Sequence, residues 1–167
     1  MRTIMTLCII RDGDRILLAE KKRGFGVGFW NGYGGKLELG ETVEQALVRE
    51  LQEESGLKLI SCEKRGEMEF ILADGAVKEV HIFEGIETTG ELVETEEMRP
   101  QWFDISAIPL QDMWPSDIFW YPFFFRRENF RGRTVFGEHF EVLSQEINPE
   151  NESIAKMSNS DVNYPLK

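Results

Sequence analysis

The chain has 167 residues, a size suited to one domain with a hydrophobic core, and its formal charge of −11 leaves no basic cluster able to track a nucleic-acid backbone. Cys8 and Cys62 show no metal-ligand spacing, and Cys8 lies in an apolar run where a reduced core thiol is expected. The opening MRTIMTLCII has neither a signal-peptide layout nor the length to span a bilayer, so the expectation is a cytoplasmic monomer with no membrane or nucleic-acid partner.

Residues 3–10 form a continuous apolar run that predicts a buried strand. Asp12-Gly13-Asp14 is a turn signal, and residues 15–19 read as the hairpin partner. Residues 21–35 carry glycines at 24, 26, 28, 32, 34 and 35, which leave little room for regular structure. Thr42, with Gln45 three residues later, opens a helix over 42–55 in a capping-box arrangement, and Gly56 is its C-cap candidate. Residues 65–72 and 79–86 read as strands joined across Asp74-Gly75, and 101–105 as a further short strand. Pro115 precedes an aromatic segment, 116–129, read as a second helix, and 134–143 as a last strand. From Asn148 the polar stretch NPENESIAKMSNSDVNYPLK reads as a disordered tail, leaving residues 1–147 as the domain. Strands alternating with two helices give the α/β class, with a mixed sheet between helical layers.

The first helix carries charge where burial is expected. At about 100° per residue, Val43, Ala46 and Leu47 define an inward stripe, and Glu50, Glu53 and Glu54 fall on that same stripe. Glu44, Gln45, Val48, Gln52 and Ser55 fall on the opposite side. Three carboxylates at i, i+3 and i+4 repel one another and resist desolvation unless cations compensate them. Hard oxygen ligands in such a cluster suit Mg²⁺, or alternatively Mn²⁺, which retain waters and recruit substrate phosphates. A merely solvated Glu-rich face is the plainer reading, but it puts the carboxylates on the wrong side of the wheel.

The spacing also carries a resemblance. Gly35, five residues, Glu41, seven residues, then Arg49-Glu50-Leu51, Gln52, Glu53-Glu54, Ser55 and Gly56-Leu57 match the Nudix box at every defined position. The chain therefore resembles the Nudix hydrolases, which cleave nucleoside diphosphates linked to another moiety using divalent cations held by the box helix. The resemblance implies a Nudix-type α/β/α sandwich and metal ligation by Glu50, Glu53 and Glu54. Gly34 and Gly35 allow a sharp turn from which a backbone carbonyl can reach the metal, and Arg49 is placed to orient a carboxylate.

Outside the box, KKRGFGVGFWNGYGGK, EEMRPQWFDI and DMWPSDIFWYP resemble the branch of that family acting on oxidised purine nucleoside triphosphates. This implies a small-molecule nucleotide substrate of the 8-oxo-dGTP or 2-oxo-dATP type, split into the monophosphate and pyrophosphate. It also implies that Asn31, Trp114 and Asp117 read the base and that Thr6 and Lys21 lie near the sugar and phosphates. Glu97 then assists the metal or the attacking water, with Glu53 favoured for orienting that water. Physically, Trp114 and Trp120 offer flat faces for stacking, and Phe25, Phe70 and Met98 complete apolar walls. Asn31 presents a donor and an acceptor, and Asp117 accepts, or donates when protonated. Taken singly, each aromatic is core packing first and Asn31 is a turn residue. Their joint agreement carries the reading.

Ser116 departs from the branch, which usually has two adjacent aspartates after Trp-Pro. Two neighbouring carboxylates push their pKa values apart, so one stays protonated as a donor. With Ser116 in place, Asp117 is expected to be less readily protonated and the range of bases to be narrower or altered. Leu72 stands where the branch often has an aromatic. The alternatives are a pyrophosphatase for another modified purine, of the O6-methyl-dGTP type, or a non-catalytic nucleotide-binding module.

Overall fold

A computed structural model of the chain describes residues 1–150 and the backbone of residues 156–158. The N-terminal apolar run forms β1 (Arg2–Asp12), and Gly13, at φ 58°, turns it into β2 (Arg15–Lys21). A two-residue β3 (Trp30–Asn31) follows, then α1 (Val43–Ser55), β4 (Lys58–Ile71), β5 (Val77–Thr89) and β6 (Met98–Asp104). The chain continues through α2 (Asp117–Phe125), β7 (Phe130–Phe136), β8 (Val142–Pro149) and β9 (Lys156–Ser158).

The strands join one sheet in the order β3-β2-β1-β5-β4-β7-β8, with β6 on β2 and β9 on β4. The pairs β1/β5 and β4/β7 are parallel and the remainder antiparallel, so the sheet is mixed as expected. Alternation along β1 serves both faces. Cys8 and Ile10 pack with Leu47, Val48 and Leu51 of α1, while Leu7 and Ile9 pack with Trp120, Tyr121 and Phe124 of α2. One helix on each face is the α/β/α sandwich.

Several boundaries differ from the sequence expectation. Strand β4 begins at Lys58, not residue 65, because bulges near Ser61 and Arg65 keep its irregular first half paired to β5. Helix α2 stops at Phe125 rather than residue 129: Pro122 removes an interior N–H, and Arg127 at φ 56° is left-handed. The last strand expected over 134–143 is two strands, β7 and β8, folded back across a turn closed by Gly137 N–H to the Glu141 carbonyl. The glycine-rich segment also contains β3, paired to β2. Strand β8 carries the sheet through Asn148 and Pro149, past the expected domain boundary at Ile147. Apart from 148–150 and 156–158, the expected tail lies outside the described residues. Among the described residues, no helix is long and apolar enough to cross a membrane.

A divergence between β1 and β2 positions the site. They pair only from Ile10/Leu17 to Asp12/Arg15, and the glycine loop fills the widening gap. Tyr33 exchanges backbone bonds of 2.6 and 2.9 Å with Cys8, and Thr6 N–H donates to the Gly35 carbonyl at 2.9 Å. A side chain at Gly34 would collide with the Thr6 carbonyl, so only glycine permits this approach.

A buried ion cluster locks the end of α2 to the sheet. Glu84, 1% exposed, accepts from Arg65 Nε at 2.7 Å and from Arg127 Nη2 at 3.0 Å. Glu84→Ala leaves two guanidinium groups short of their partner and is expected to lower stability by about 3 kcal/mol. The check is the urea midpoint at unchanged slope.

Candidate active site

Helix α1 starts with the expected capping box: Gln45 N–H donates to Thr42 Oγ1 at 3.2 Å, and Thr42 N–H to Gln45 Oε1 at 2.9 Å. Gly56 ends it at φ 79°, with its N–H on the Gln52 carbonyl. The buried face is Ala46, Leu47, Val48, Leu51, Glu54 and Ser55. It is centred nearer Leu51 than the wheel placed it, so Val48 and Ser55, expected on the solvent side, point inward. Glu53, expected inward, is 61% exposed. Burial therefore falls on Glu54 and partly on Glu50, with Glu53 at the rim.

The buried carboxylates resist ionising. Glu54 is 8% exposed, and burial, then the charge of Glu50, pushes its carboxyl up to about 8 against the pull of the Gly34 N–H and Lys21. That N–H donates to Glu54 Oε2 at 3.1 Å. Burial likewise raises Glu50, against the opposing effect of Arg49. Arg49 grips Glu41 through two bonds of 2.6 and 2.9 Å and reaches Glu50 at 2.9 Å, Glu53 at 3.3 Å and the Lys36 carbonyl at 3.1 Å. Glu41 is held below the usual carboxylate range by that guanidinium. Sequence reasoning left Glu41 without a role, although its fixed place in the box was the available signal. Glu97 pairs with Arg23 at 3.0 Å, and its charge reaches Glu54. Glu50, Glu53, Arg49 and Glu97 stand outside the cavity wall, whereas Glu54 and Gly34 form part of it.

That cavity holds about 160 Å³. Thr6, Lys21, Phe25, Asn31, Phe70, Met98, Trp114, Ser116, Asp117 and Trp120 all line it, as does Leu72. Their elements, from β1 to α2, are distant in the chain, so only the sheet brings them together. Three of them differ in detail from expectation. Trp120 is 1% exposed, with one ring contact to Tyr121 at 4.1 Å and another to Phe130 at 5.9 Å, both near-parallel, so its faces are occupied by core. Its indole N–H instead donates to Asp117 Oδ1 at 3.0 Å. Asn31 Oδ1 accepts from the Gly32 N–H at 2.8 Å, leaving the amide donors as its free half. Asp117 is 3% exposed, and burial pushes its carboxyl up to about 8, against the bonds from Trp120 and Trp114. Burial by itself thus favours the protonated form with Ser116 as the neighbour. Asp117 Oδ2 and Thr6 Oγ1 are buried with no hydrogen-bond partner among the described residues, which suits the cavity to a polar guest. Phe29, Lys78 and Phe136 also line the wall and were missed, because nothing in local pattern separates them from packing or surface residues.

The family model described as the NUDIX domain matches residues 1–124. The chain belongs to the Nudix family. It is 43% identical over 145 residues to the oxidized purine nucleoside triphosphate hydrolase of Danio rerio and 41% to that of Mus musculus, covering 86% of this chain and 93% of each relative. Among solved structures, the mutator MutT protein of Bacillus halodurans superposes with a TM-score of 0.77 at 26% identity, over 89% of this chain and 99% of that one.

Nudix hydrolases generally use divalent metal ions, and the donor chemistry of this Nudix chain fits one. Glu54 and Glu50 are carboxyls whose ionisation burial opposes and a bound cation would restore, and the glycine loop lies against both. A Cβ on Gly35 would sit 2.5 Å from the Glu50 carboxylate. Gly35→Ala is therefore expected to displace Glu50 and weaken Mg²⁺ binding about tenfold, read by calorimetric titration. A second cluster, Glu67, Glu79 and His81, places ligand atoms within 4.8 Å of one another. There Lys64 lies 2.9 Å from Glu67 and Arg2 2.5 Å from Glu79, so its charge is already neutralised.

Proposed function

We propose that this Nudix chain hydrolyses oxidised purine nucleoside triphosphates, of the 8-oxo-dGTP and 2-oxo-dATP type, to the monophosphate and pyrophosphate. Its cellular role is then to keep damaged nucleotides out of nucleic-acid synthesis, as a cytoplasmic monomer acting on a small molecule. One observation carries the reading: a buried Asp117, its Oδ2 without a partner among the described residues and its carboxyl pushed up to about 8 by burial, lines the same cavity as Glu54 and Gly34. A flat base with polar edges suits the first, and a phosphate chain suits the second. The names of the Danio rerio and Mus musculus relatives point the same way.

Asp117 donates a hydrogen bond to the base edge, and Asn31 donates from its free amide half. Trp114 offers its indole for stacking, a contribution of about 1–3 kcal/mol per base. Lys21 and Thr6 lie along the path from base to phosphates. Glu50 and Glu54, with Glu53, Glu97 and the Gly34 carbonyl, would hold the Mg²⁺. When bound, that ion neutralises charge on the phosphoryl oxygens and lowers the pKa of the attacking water. Arg49 holds Glu50 and Glu53 in register, and the exposed Glu53 orients the water.

The test is pyrophosphate release with Mg²⁺ from 8-oxo-dGTP, 2-oxo-dATP, O6-methyl-dGTP and dGTP, beside a Glu53→Gln control. Preference for an oxidised purine that depends on Glu53 supports the proposal, and equal turnover of all four removes the sanitising role. Absence of turnover with binding retained identifies a nucleotide-binding module. Ser116→Asp adds a carboxylate at a position 1% exposed, beside Asp117, and is expected to shift the 8-oxo-dGTP to 2-oxo-dATP activity ratio severalfold. An unchanged ratio sinks the role given to Ser116.

A further inference from the structure

Lys78 is a charged group in the cavity wall that the reading above leaves unused. It lies near the start of β5, beside Thr3 of β1 and across from Phe70 of β4. Its side chain is partly buried, and Nζ sits 3.9 Å from the centre of the Phe25 ring. Phe25 in turn stacks on Trp114, with centroids 5.2 Å apart and planes inclined by 26°. Ammonium, phenyl and indole thus form three successive layers at the cavity.

The cation has no acidic partner in contact among the described residues. Among the described residues, the lysines in ion pairs are Lys22, with Glu94, and Lys64, with Glu67. Burial, then the charges of Lys36 and Lys21, pushes the Lys78 ammonium below the usual lysine value, against a weaker pull from Asp74. Phe70, across from it on β4, and Val80, two residues on along β5, are apolar members of the same wall, and an apolar residue at 78 would pack beside them without this penalty. A partner supplied by the ligand accounts for a charge in such a place.

The middle layer shows what that partner is. A ring held between a cation and an indole is flat and electron-rich on its faces. Phe25 is half exposed and sits on a loop whose neighbours Gly24 and Gly26 adopt φ 81° and 83°, so the phenyl is carried by a turn rather than locked in the core. A purine that stacked on Trp114 in place of that phenyl would meet the same ammonium.

We propose that Lys78 is a specificity-determining residue, its ammonium lying on the face of the bound purine opposite Trp114, favouring electron-rich, oxygen-bearing bases and rejecting bases that carry positive charge. The proposal rests on the purine-nucleotide reading of the cavity and adds a selection by ring charge to the edge recognition by Asn31 and Asp117.

The experiment is calorimetric binding of GMP, 8-oxo-GMP and 7-methyl-GMP, the last with a positively charged ring, to wild type, Lys78→Met and Lys78→Arg. Methionine keeps the length and apolar stem of lysine, so folding is conserved, and thermal unfolding verifies it. Wild type is expected to favour 8-oxo-GMP over 7-methyl-GMP, with Lys78→Met narrowing that ratio about tenfold and Lys78→Arg preserving it. Purine binding with the same ratio in wild type and Lys78→Met overturns the role of Lys78 and leaves the purine pocket standing. Failure of wild type to bind any of the three overturns the purine reading, and this proposal with it.

Discussion

Asp117→Ala is expected to lower kcat/KM for 8-oxo-dGTP by at least about a hundredfold, because the donor proposed for the base edge is lost. The variant that isolates the proton is Asp117→Asn, whose amide keeps a donor at every pH. Burial holds the Asp117 carboxyl up at about 8, from an ordinary value of 3.8. Wild-type kcat/KM should therefore fall as pH rises through about 8, while Asp117→Asn retains its activity across that window. Saturating Mg²⁺ is needed in both assays, since Glu54 is pushed up to about 8 when no cation is bound and would add its own titration. The same linkage acts on stability. A carboxyl with a raised folded-state pKa contributes stability that is complete below its unfolded value and lost as pH rises through the folded one. Thermal unfolding of wild type should weaken between about pH 4 and pH 8 relative to Asp117→Asn. Parallel pH profiles in wild type and Asp117→Asn would show that the donor is ionised and the pocket reads the base another way.

Glu54→Gln is expected to lower kcat by about a thousandfold at saturating Mg²⁺, the scale of losing a directly bound charge at a phosphoryl-transfer centre. The variant should nevertheless be the more stable protein when metal-free. Glu54 has its carboxyl raised from 4.5 to about 8, so the stability it contributes is present below 4.5 and disappears as pH rises through about 8. Glutamine keeps the acceptor for the Gly34 N–H and has no charge to desolvate. Above pH 8, chelated wild type should melt below chelated Glu54→Gln. Addition of Mg²⁺ should raise the wild-type melting temperature more at high pH than at low pH, because ligation requires the ionised carboxylate. A Glu54→Gln variant that gains as much as wild type from Mg²⁺ would remove Glu54 from the ion's ligands.

The legible features were those whose physics is local. Thr42 and Gln45 cap one helix turn, Gly56 must adopt a left-handed backbone, and the spacing from Gly35 to Leu57 is a single stretch of chain. The hairpin at Gly13 follows from turn chemistry and the mixed character of the sheet from strands alternating with helices, whereas the parallel partners of β1 and β4 appear only in the fold. Where Pro122 and Arg127 stop α2, and where Gly137 splits the last strand, the local signals were present but weaker than the apolar pattern running across them.

Site chemistry divides along the same line. Glu50, Glu53 and Glu54 are identified by type and spacing, yet which of them is buried depends on how α1 seats against Cys8, Leu17 and Phe83 on the sheet. A helical wheel has no sheet beneath it, so it placed Glu53 inside and Val48 outside. Asp117 appears in the sequence as a carboxylate beside a serine. In the fold its carboxyl is pushed up to about 8, because desolvation depends on all the neighbours that exclude water, most of them far away in the chain. The layering of Lys78, Phe25 and Trp114 has the same origin: a β5 lysine, a loop phenyl and an indole before α2 meet only once β1 and β5 pair in parallel. The chain order states which groups are available for chemistry, while their charge states and mutual distances belong to the packed sheet.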